Sequence, residues 1–398
     1  MAEARAHIDR FAPLELEEVS LQEGLARRTG RDILARADCP SLRSSLKDGF
    51  AVRSADVATA SPEKPVSLLV IDRVAAGGQS RMVVQPGQTI RIMTGAPVPE
   101  GADAVLAAEF TRDGDGLVQA LADAHPGRNI LERGSDVARG EVLVHAGTQL
   151  TPARLGLLAA GGVASVPVHR RPRVMVVATG SELVAPDEPV TPGKVAASNM
   201  VTLVAELTRM GLVPDWLLIR DDLESLQEQM RPLIGCYDCV LTCGGVLDGD
   251  KDFTMQAMQE LDIQPVFQRV RIGPGKGVCL GQSRDGATLF FNLPGGPPSN
   301  HVAFLLLAKP CIERLAGRTS LFAGAMTARL TDDIRGQQDW TQIFYGRLCE
   351  QGAEQWVRPL AGKSRLTAMA EADCLLELAE GKRIAGQGST IERIWKIR

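Results

Sequence analysis

Apolar positions change texture three times along the chain. Between residues 14 and 38, Leu14, Leu16, Val19, Leu21, Leu25 and Leu34 fall at helical intervals among charges, and the run stops at Cys39-Pro40. That spacing predicts an opening helical segment. From about 41 to 140 the apolar runs are short and broken by Gly and Pro, as in SLLVIDRVAAGG and EVLVHAGTQL, which predicts a β-rich region. Thr151-Pro152 then opens a second helical stretch, TPARLGLLAAGGV, with Thr151 as N-cap and Pro152 in the first turn. Two helical pieces therefore bracket a β insertion.

Past Pro172 strands and helices alternate. Val174 to Ala178 reads as a buried strand, 198 to 210 as a helix capped by Ser198 or Asn199, and VPDWLLIRDD as a second strand. A helix near 222 to 234, a strand over 238 to 243 and a helix near 252 to 261 follow. Strands near 264 to 272, 277 to 281 and 288 to 293 come next, then a helix near 297 to 310. The pattern predicts an α/β layer domain with a mostly parallel sheet. From about 320 short strands return (MTARL, TQIFYGRL, EQWVRPL, CLLELA, IERIWKI), which predicts a small β domain.

Length agrees with several domains, since 398 residues exceed what one core usually serves. A net charge of −4 and 4% aromatic residues offer neither a phosphate footprint nor stacking rings, so nucleic acid is not expected as a partner. No apolar run approaches the ~20 residues of a membrane span, and MAEARAHIDRFAPLELEEV lacks the apolar stretch of a secretory signal. A soluble, cytoplasmic protein is expected. The eight cysteines are too sparse for a disulfide scaffold. Cys236, Cys239 and Cys243 have zinc-like spacing, but strand alternation puts Cys239 and Cys243 on one face with Cys236 outside it. All five histidines are isolated in sequence, so these cysteines read as structural.

Ligands of open α/β sheets bind at the carboxyl ends of the strands, and the residues there are distinctive. They are Thr179-Gly180-Ser181-Glu182, Asp221-Asp222, Gly244-Gly245-Val-Leu247-Asp248-Gly-Asp250-Lys-Asp252, Gly273-Pro-Gly275-Lys276-Gly277 and Pro294-Gly-Gly296-Pro297-Pro-Ser299. Glycine turns admit an anion to backbone N–H groups, while carboxylates alone would repel it, so the mixture implies phosphate oxygens together with a hard divalent cation. Each Asp taken singly also fits an ordinary turn or helix cap. VRPLAGKS lacks the first glycine of a P-loop, and Gly273, Gly275 and Gly277 do not make the dinucleotide fingerprint. The β insertion adds three charged glycine turns, around Asp48, Thr94 to Glu100, and Arg133 to Asp136.

These segments together resemble the molybdopterin molybdotransferases, the MoeA type shared by bacterial enzymes and the C-terminal domain of gephyrin. LKDGFAVR is similar to MDGYAVR, NILERGSDV to NIR-x-x-GEDI, ATGSEL to STGDEL, TCGGVLDGDKDF to SGGVSxGxxDY, IGPGKG to KPGKP and NLPGGPPS to GLPGNPVS. RIMTGAPVPEGADAV nearly reproduces the family pattern. The resemblance implies a multidomain α/β and β protein. Its parts are an elongated helical domain (1–40 and 140–170), an inserted β domain (41–139), a central three-layer MogA-like molybdopterin-binding domain (171–318) and a small C-terminal β-barrel domain (319–398).

It further implies insertion of molybdate into adenylylated molybdopterin, with Mg2+-dependent release of AMP. The expected catalytic residues are Asp48, Glu182 and Asp252, and the expected metal ligands Glu182, Asp221 and Asp252. Thr94, Asp136, Thr179, Gly180, Ser181, Gly244, Gly245, Arg269, Gly275, Lys276, Pro294 and Pro297 would bind substrate. A homodimer is implied, with Asp48, Thr94 and Asp136 reaching the partner's site; a molybdopterin adenylyltransferase and molybdoenzymes are expected partners. Departures fall on the ligand side: Gly273 replaces a lysine, Gly277 a proline, Leu247 a serine and Gly296 an asparagine, and AGKSRL replaces QGSH. The alternative they leave open is a catalytically weak paralogue that carries the pterin or scaffolds molybdoenzyme assembly.

Overall fold

The computed structural model describes residues 1–219, 221–244, 253–322, 325–351, 354–360 and 364–397. The chain divides into two compact units, Met1–Glu17 with His169–Arg398, and Glu18–Val168. Helix α1 (Ala2–Asp9) opens the chain and buries Ile8 in the core of the first of these.

In the unit Glu18–Val168 the strands β1 (Gly49–Val52), β2 (Val66–Val74), β3 (Gln88–Ile92), β4 (Ala104–Ala107), β5 (Thr111–Asp113) and β6 (Leu117–Ala120) form one sheet in the order β4-β1-β3-β2-β6-β5. Alternation works on both faces: Phe50, Leu68, Leu106 and Val118 pack on one side, and Ala51, Val74, Ile90 and Val105 on the other. Helix α2 (Pro152–Ala160) begins as expected, with the Thr151 side chain accepting from the Arg154 N–H at 3.4 Å.

The helix expected over 14–38 does not form. Leu16–Ser20 and Ile33–Leu34 are short strands. The Ser20 hydroxyl donates to Glu23 at 2.6 Å in a tight turn, and the backbone from Ala26 to Thr29 bonds to residues 148–150 instead of to itself. Long-range pairing thus overrides local spacing, because every buried N–H and C=O needs a partner and distant chain supplies it.

The other unit carries the α/β layer. Its elements are β7 (Val174–Thr179), α3 (Ser198–Arg209), β8 (Asp215–Ile219), α4 (Leu223–Met230), β9 (Cys239–Cys243), α5 (Phe253–Glu260), β10 (Gln264–Gln268), β11 (Cys279–Gln282) and β12 (Leu289–Leu293). Strand order is β8-β7-β9-β12-β11-β10, parallel from β8 to β12 and antiparallel beyond. Val174, Val176 and Ala178 face α1 and α3, whereas Met175 and Val177 face α4 and α5, giving three layers. Cys239 and Cys243 share the first core, and Cys236 is exposed.

Three expectations shift in detail. The cap of α3 is Ala197 rather than Ser198 or Asn199, with no side-chain cap bond, because the Asn199 amide is used elsewhere. The strand expected over 264–272 is divided, since Arg269 takes a left-handed φ of +57° and only Ile272–Gly273 resumes pairing. The closing helix is α6 (Pro297–Ala303), a π-helical turn Phe304–Ala308 and α7 (Lys309–Leu315).

The C-terminal strands β13 (Met326–Leu330), β14 (Thr341–Gln351), β15 (Glu354–Pro359), β16 (Cys374–Leu378) and β17 (Thr390–Lys396) run in the order β14-β15-β13-β17-β16. Pairing of β16 back onto β14 closes a five-stranded barrel around Leu330, Val357, Leu376 and Ile394. Helix α8 (Arg365–Glu371) lies between β15 and β16 in the chain. The Ile272–Gly273 pair adds to the edge at Thr341 and Gln342.

Candidate active site

Four parallel strands end level. Thr179 pairs with Ile219, Ala178 with Cys243, and Cys243 with Leu293, so the glycine loops after β7, β9 and β12 and the acidic pair after β8 leave the sheet at one edge. Their contacts are close. A Cβ on Gly244 would stand 2.4 Å from the Thr179 carbonyl oxygen, and Gly244 holds a φ of +124°. One on Gly295 would stand 3.8 Å from the Gly244 Cα, and one on Gly275 3.4 Å from the Ser299 carbonyl oxygen. The segments 179–182, 244, 273–277 and 294–299 therefore form one continuous rim.

Its polar groups are held in place. The Thr179 hydroxyl donates to Asp221 at 3.2 Å, which sets the direction of that carboxylate. Asp222, its neighbour, caps α4 by accepting the Ser225 N–H at 2.8 Å, the ordinary role of an Asp after a strand. Glu182 is exposed, and its backbone carbonyl accepts from Val195 at 2.9 Å. Ser181 is exposed and its carbonyl accepts from Lys194 at 2.6 Å. Arg269 and Lys276 stand exposed on one tight turn, in which the Arg269 N–H donates to Val278 and the Val270 N–H to Lys276.

The loop carrying Pro294 and Pro297 is clamped by two amides. Asn199 donates to the Gly295 carbonyl at 2.8 Å and Asn300 to the Pro294 carbonyl at 3.1 Å. Neither Lys194 nor Asn300 is marked by the sequence for this role, because each lies outside the glycine loop it supports. Only Asn199 had a signal, as a helix-cap candidate. Among the described residues, the buried polar atoms without a partner include Asn292 Nδ2 near the end of β12 and Thr254 Oγ1 in the first turn of α5. Cys243, at the end of β9, is buried and its thiol is pushed up to about 12 by desolvation, so it stays protonated and is no nucleophile at neutral pH.

The unit Glu18–Val168 brings its own charged turns together. Ser45 donates its N–H to Ala96 at 2.9 Å and accepts from Gly95 at 2.8 Å, while Leu46 donates to Asn129 at 2.9 Å, tying all three segments. Asp48 accepts from both the backbone N–H (2.7 Å) and the hydroxyl (2.8 Å) of Thr94. Those two bonds, the backbone one first, hold the exposed Asp48 carboxyl below its usual value. Asp136 is exposed, with its N–H donated to Cys39 at 3.0 Å. Asp38, absent from the sequence reading, instead accepts from Arg133 and from the Arg139 N–H. Gly245, Leu247, Asp248, Asp250 and Asp252 lie outside the described residues.

Among the described residues no three His, Cys, Asp or Glu side chains gather as a metal cage. The rim nonetheless offers oxygen donors alone, from Asp221, Glu182 and the Thr179 hydroxyl, which is the donor chemistry of Mg2+ rather than of zinc or copper. No described helix is long and apolar enough to cross a membrane.

Comparison with known proteins matches this arrangement throughout. Residues 1–162 match the MoeA N-terminal region (domain I and II), 175–314 the probable molybdopterin binding domain, and 327–394 the MoeA C-terminal region (domain IV). A molybdopterin molybdenumtransferase of Bacillus subtilis (strain 168) is 34% identical over 95% of this chain and 89% of its own. One of Staphylococcus aureus (strain Mu50) is 31% identical over 94% and 90%. The crystal structure of a molybdopterin biosynthesis MoeA protein from Pyrococcus horikoshii superposes with a TM-score of 0.84 at 29% identity, covering 99% of this chain and 98% of that one.

Proposed function

The chain belongs to the MoeA family, and from that premise we propose that it is a molybdopterin molybdenumtransferase, inserting molybdate into adenylylated molybdopterin with release of AMP. The observation that carries the reading is the rim on which β7, β8, β9 and β12 end together, with Asp221 oriented by Thr179 beside glycine turns. Backbone N–H groups of Gly180, Gly275, Gly295 and Gly296 suit phosphate oxygens, because a Cβ in such turns would keep an anion at a distance. Lys276 and Arg269 supply the positive charge that the pterin phosphate or the molybdate oxyanion needs. The Asn199 and Asn300 clamps hold the Pro294 to Pro297 turn still, so that binding orders little further chain.

The oxygen donor set fits Mg2+, which Glu182, Asp221 and Asp252 would hold. When bound, the ion supplies charge neutralisation at the phosphate bridge whose cleavage releases AMP. Asp48, aimed by Thr94, and Asp136 would complete the site from a partner subunit in a homodimer; the same reading keeps a molybdopterin adenylyltransferase and molybdoenzymes as supplier and recipients.

The test is AMP release from adenylylated molybdopterin by purified protein, with molybdate and with or without Mg2+. Release that needs both is the expected result. Tight binding of the adenylylated pterin without release would overturn the enzyme reading and make the protein a carrier or scaffold, in keeping with Gly273 and Gly296 on the rim.

A further inference from the structure

Away from the rim, where α7 meets the barrel, lies a cavity of about 190 Å3. Its floor is apolar, made by Leu305, Leu306, Pro310, Leu321, Leu375 and Ile397. Arg5 of α1 forms part of its wall. Only 9% of that residue is exposed, and its guanidinium lies between two rings, with Cζ 4.9 Å from the centroid of Phe322 and 5.1 Å from that of Trp395. Arg5 Nη2 meets Glu377 at 3.2 Å, yet Arg5 Nε is buried with no hydrogen-bond partner. An orphaned donor on a buried cation is costly, so its survival calls for an explanation.

The charge around the cavity points the same way. Among the described residues Glu377 is the one carboxylate that pairs with Arg5, and it is shared with the Arg393 guanidinium at 3.1 Å and the Trp395 indole N–H at 2.9 Å. Glu313 is matched by Arg318 at 2.6 Å. Lys309 and Lys396 also line the space, and among the described residues neither has an ion-pair partner. Cations are therefore in excess around an apolar floor. We propose that this cavity binds a small organic carboxylate, its apolar body against the floor and its carboxylate accepting from Arg5 Nε with Lys309 and Lys396 at the mouth.

A carboxylate fits better than a phosphate, because one interior donor serves a single carboxylate oxygen and cannot satisfy three phosphate oxygens. The volume suits a group of benzene size with its charge, since a 150 Å3 apolar cavity holds benzene. The space is lined by α1, by the helix ending in α7 and by the barrel, and it shares none of the rim residues assigned above.

Benzoate is the probe, with benzamide as its uncharged equivalent and acetate as the charge without the body. Full-length protein labelled with 15N at tryptophan is titrated while the indole N–H signal of Trp395, assigned with Trp395→Phe, is followed. Benzoate is expected to shift that signal saturably with a Kd on the order of 1 mM, and benzamide and acetate to bind at least about tenfold more weakly. Arg5→Gln should weaken benzoate about tenfold or more. The pair Lys309→Gln with Lys396→Gln, which leaves the core untouched, should weaken it severalfold. No saturation at roughly twenty times the expected Kd, equal binding of benzamide or acetate, or unchanged affinity in the folded lysine pair would each overturn the proposal.

Discussion

Replacing Gly244 by Ala tests whether the rim is held as tightly as its contacts imply. The residue has a φ of +124°, which side chains rarely adopt, and a Cβ there would stand 2.4 Å from the Thr179 carbonyl oxygen. The backbone term is about 1–3 kcal/mol, and forcing an extra carbon into packed surroundings adds about 1–3 kcal/mol. Together they remove about 2–6 kcal/mol from a stability that for most domains is only 5–15. Geometry matters as much. To reach ordinary van der Waals contact, the end of β7 and the turn after β9 must separate by roughly 1 Å, and displacement on that scale costs about 100-fold in rate where reacting groups are positioned. Gly235→Ala is the control, since Gly235 also has a positive φ of +76° but nothing within 4 Å of its Cβ. Urea unfolding of both variants, with AMP release at saturating substrate, separates steric crowding from backbone strain. The expected result is a loss for Gly244→Ala at least about 1 kcal/mol larger than for Gly235→Ala, with AMP release down about 100-fold. Equal losses and undiminished release would refute the argument that this contact organises the edge.

Glu182→Ala and Asp221→Asn should each abolish AMP release while shifting thermal unfolding little, because Glu182 is exposed and Asp221 keeps its Thr179 bond as an amide; Asp252→Ala should do the same, and wild-type rates in any of the three would remove that residue from the site. Gly273→Lys should tighten binding of AMP or inorganic phosphate about tenfold by restoring a positive charge, with Gln342 swinging aside since its Nε2 lies 2.8 Å from the added Cβ; unchanged affinity would mean that Lys276 or Arg269 already serves. Asp238 supplies a pH signature: burial opposes its charge, but hydrogen bonds from Arg170 and from the Arg173 N–H outweigh that and hold its carboxyl below the usual value. Its contribution is therefore fully present above about pH 4, the unfolded value, and is lost as pH falls through the lower folded one. Thermal unfolding of Asp238→Asn and the parent should thus differ most at neutral pH and converge in acid; a gap that does not narrow as pH falls below about 4 would contradict that linkage.

Much of the α/β layer was legible because its signals are local. Val174 to Ala178 and Cys239 to Cys243 are runs of apolar residues buried on both faces, and a parallel strand needs no more than that to be recognised. The glycine loops were legible for a similar reason, since a turn that must take a positive φ or a close approach leaves few residue choices. Thr151 and Asp222 show caps acting within three residues of themselves.

Local spacing misled where the partner lay far away in the chain. Residues 14 to 38 carry apolar positions at helical intervals, yet the backbone from 26 to 29 pairs with 148–150, over a hundred residues on. Asn199 had the composition of a helix cap, but its amide spans to Gly295, 96 residues away, and the cap position falls on Ala197. The sequence by itself determined which segments would be strands and glycine turns, which carboxylates and cations would follow them, and the family they resemble. Only the tertiary structure decided that Thr179 aims Asp221 while Asp222 merely caps a helix, that Asn199 and Asn300 brace one loop, and that Arg5 is buried between two rings beside a cavity with an apolar floor. Hydrophobic periodicity records which face of an element is buried. It carries no record of which distant polar group meets which, because that depends on how the buried faces pack together.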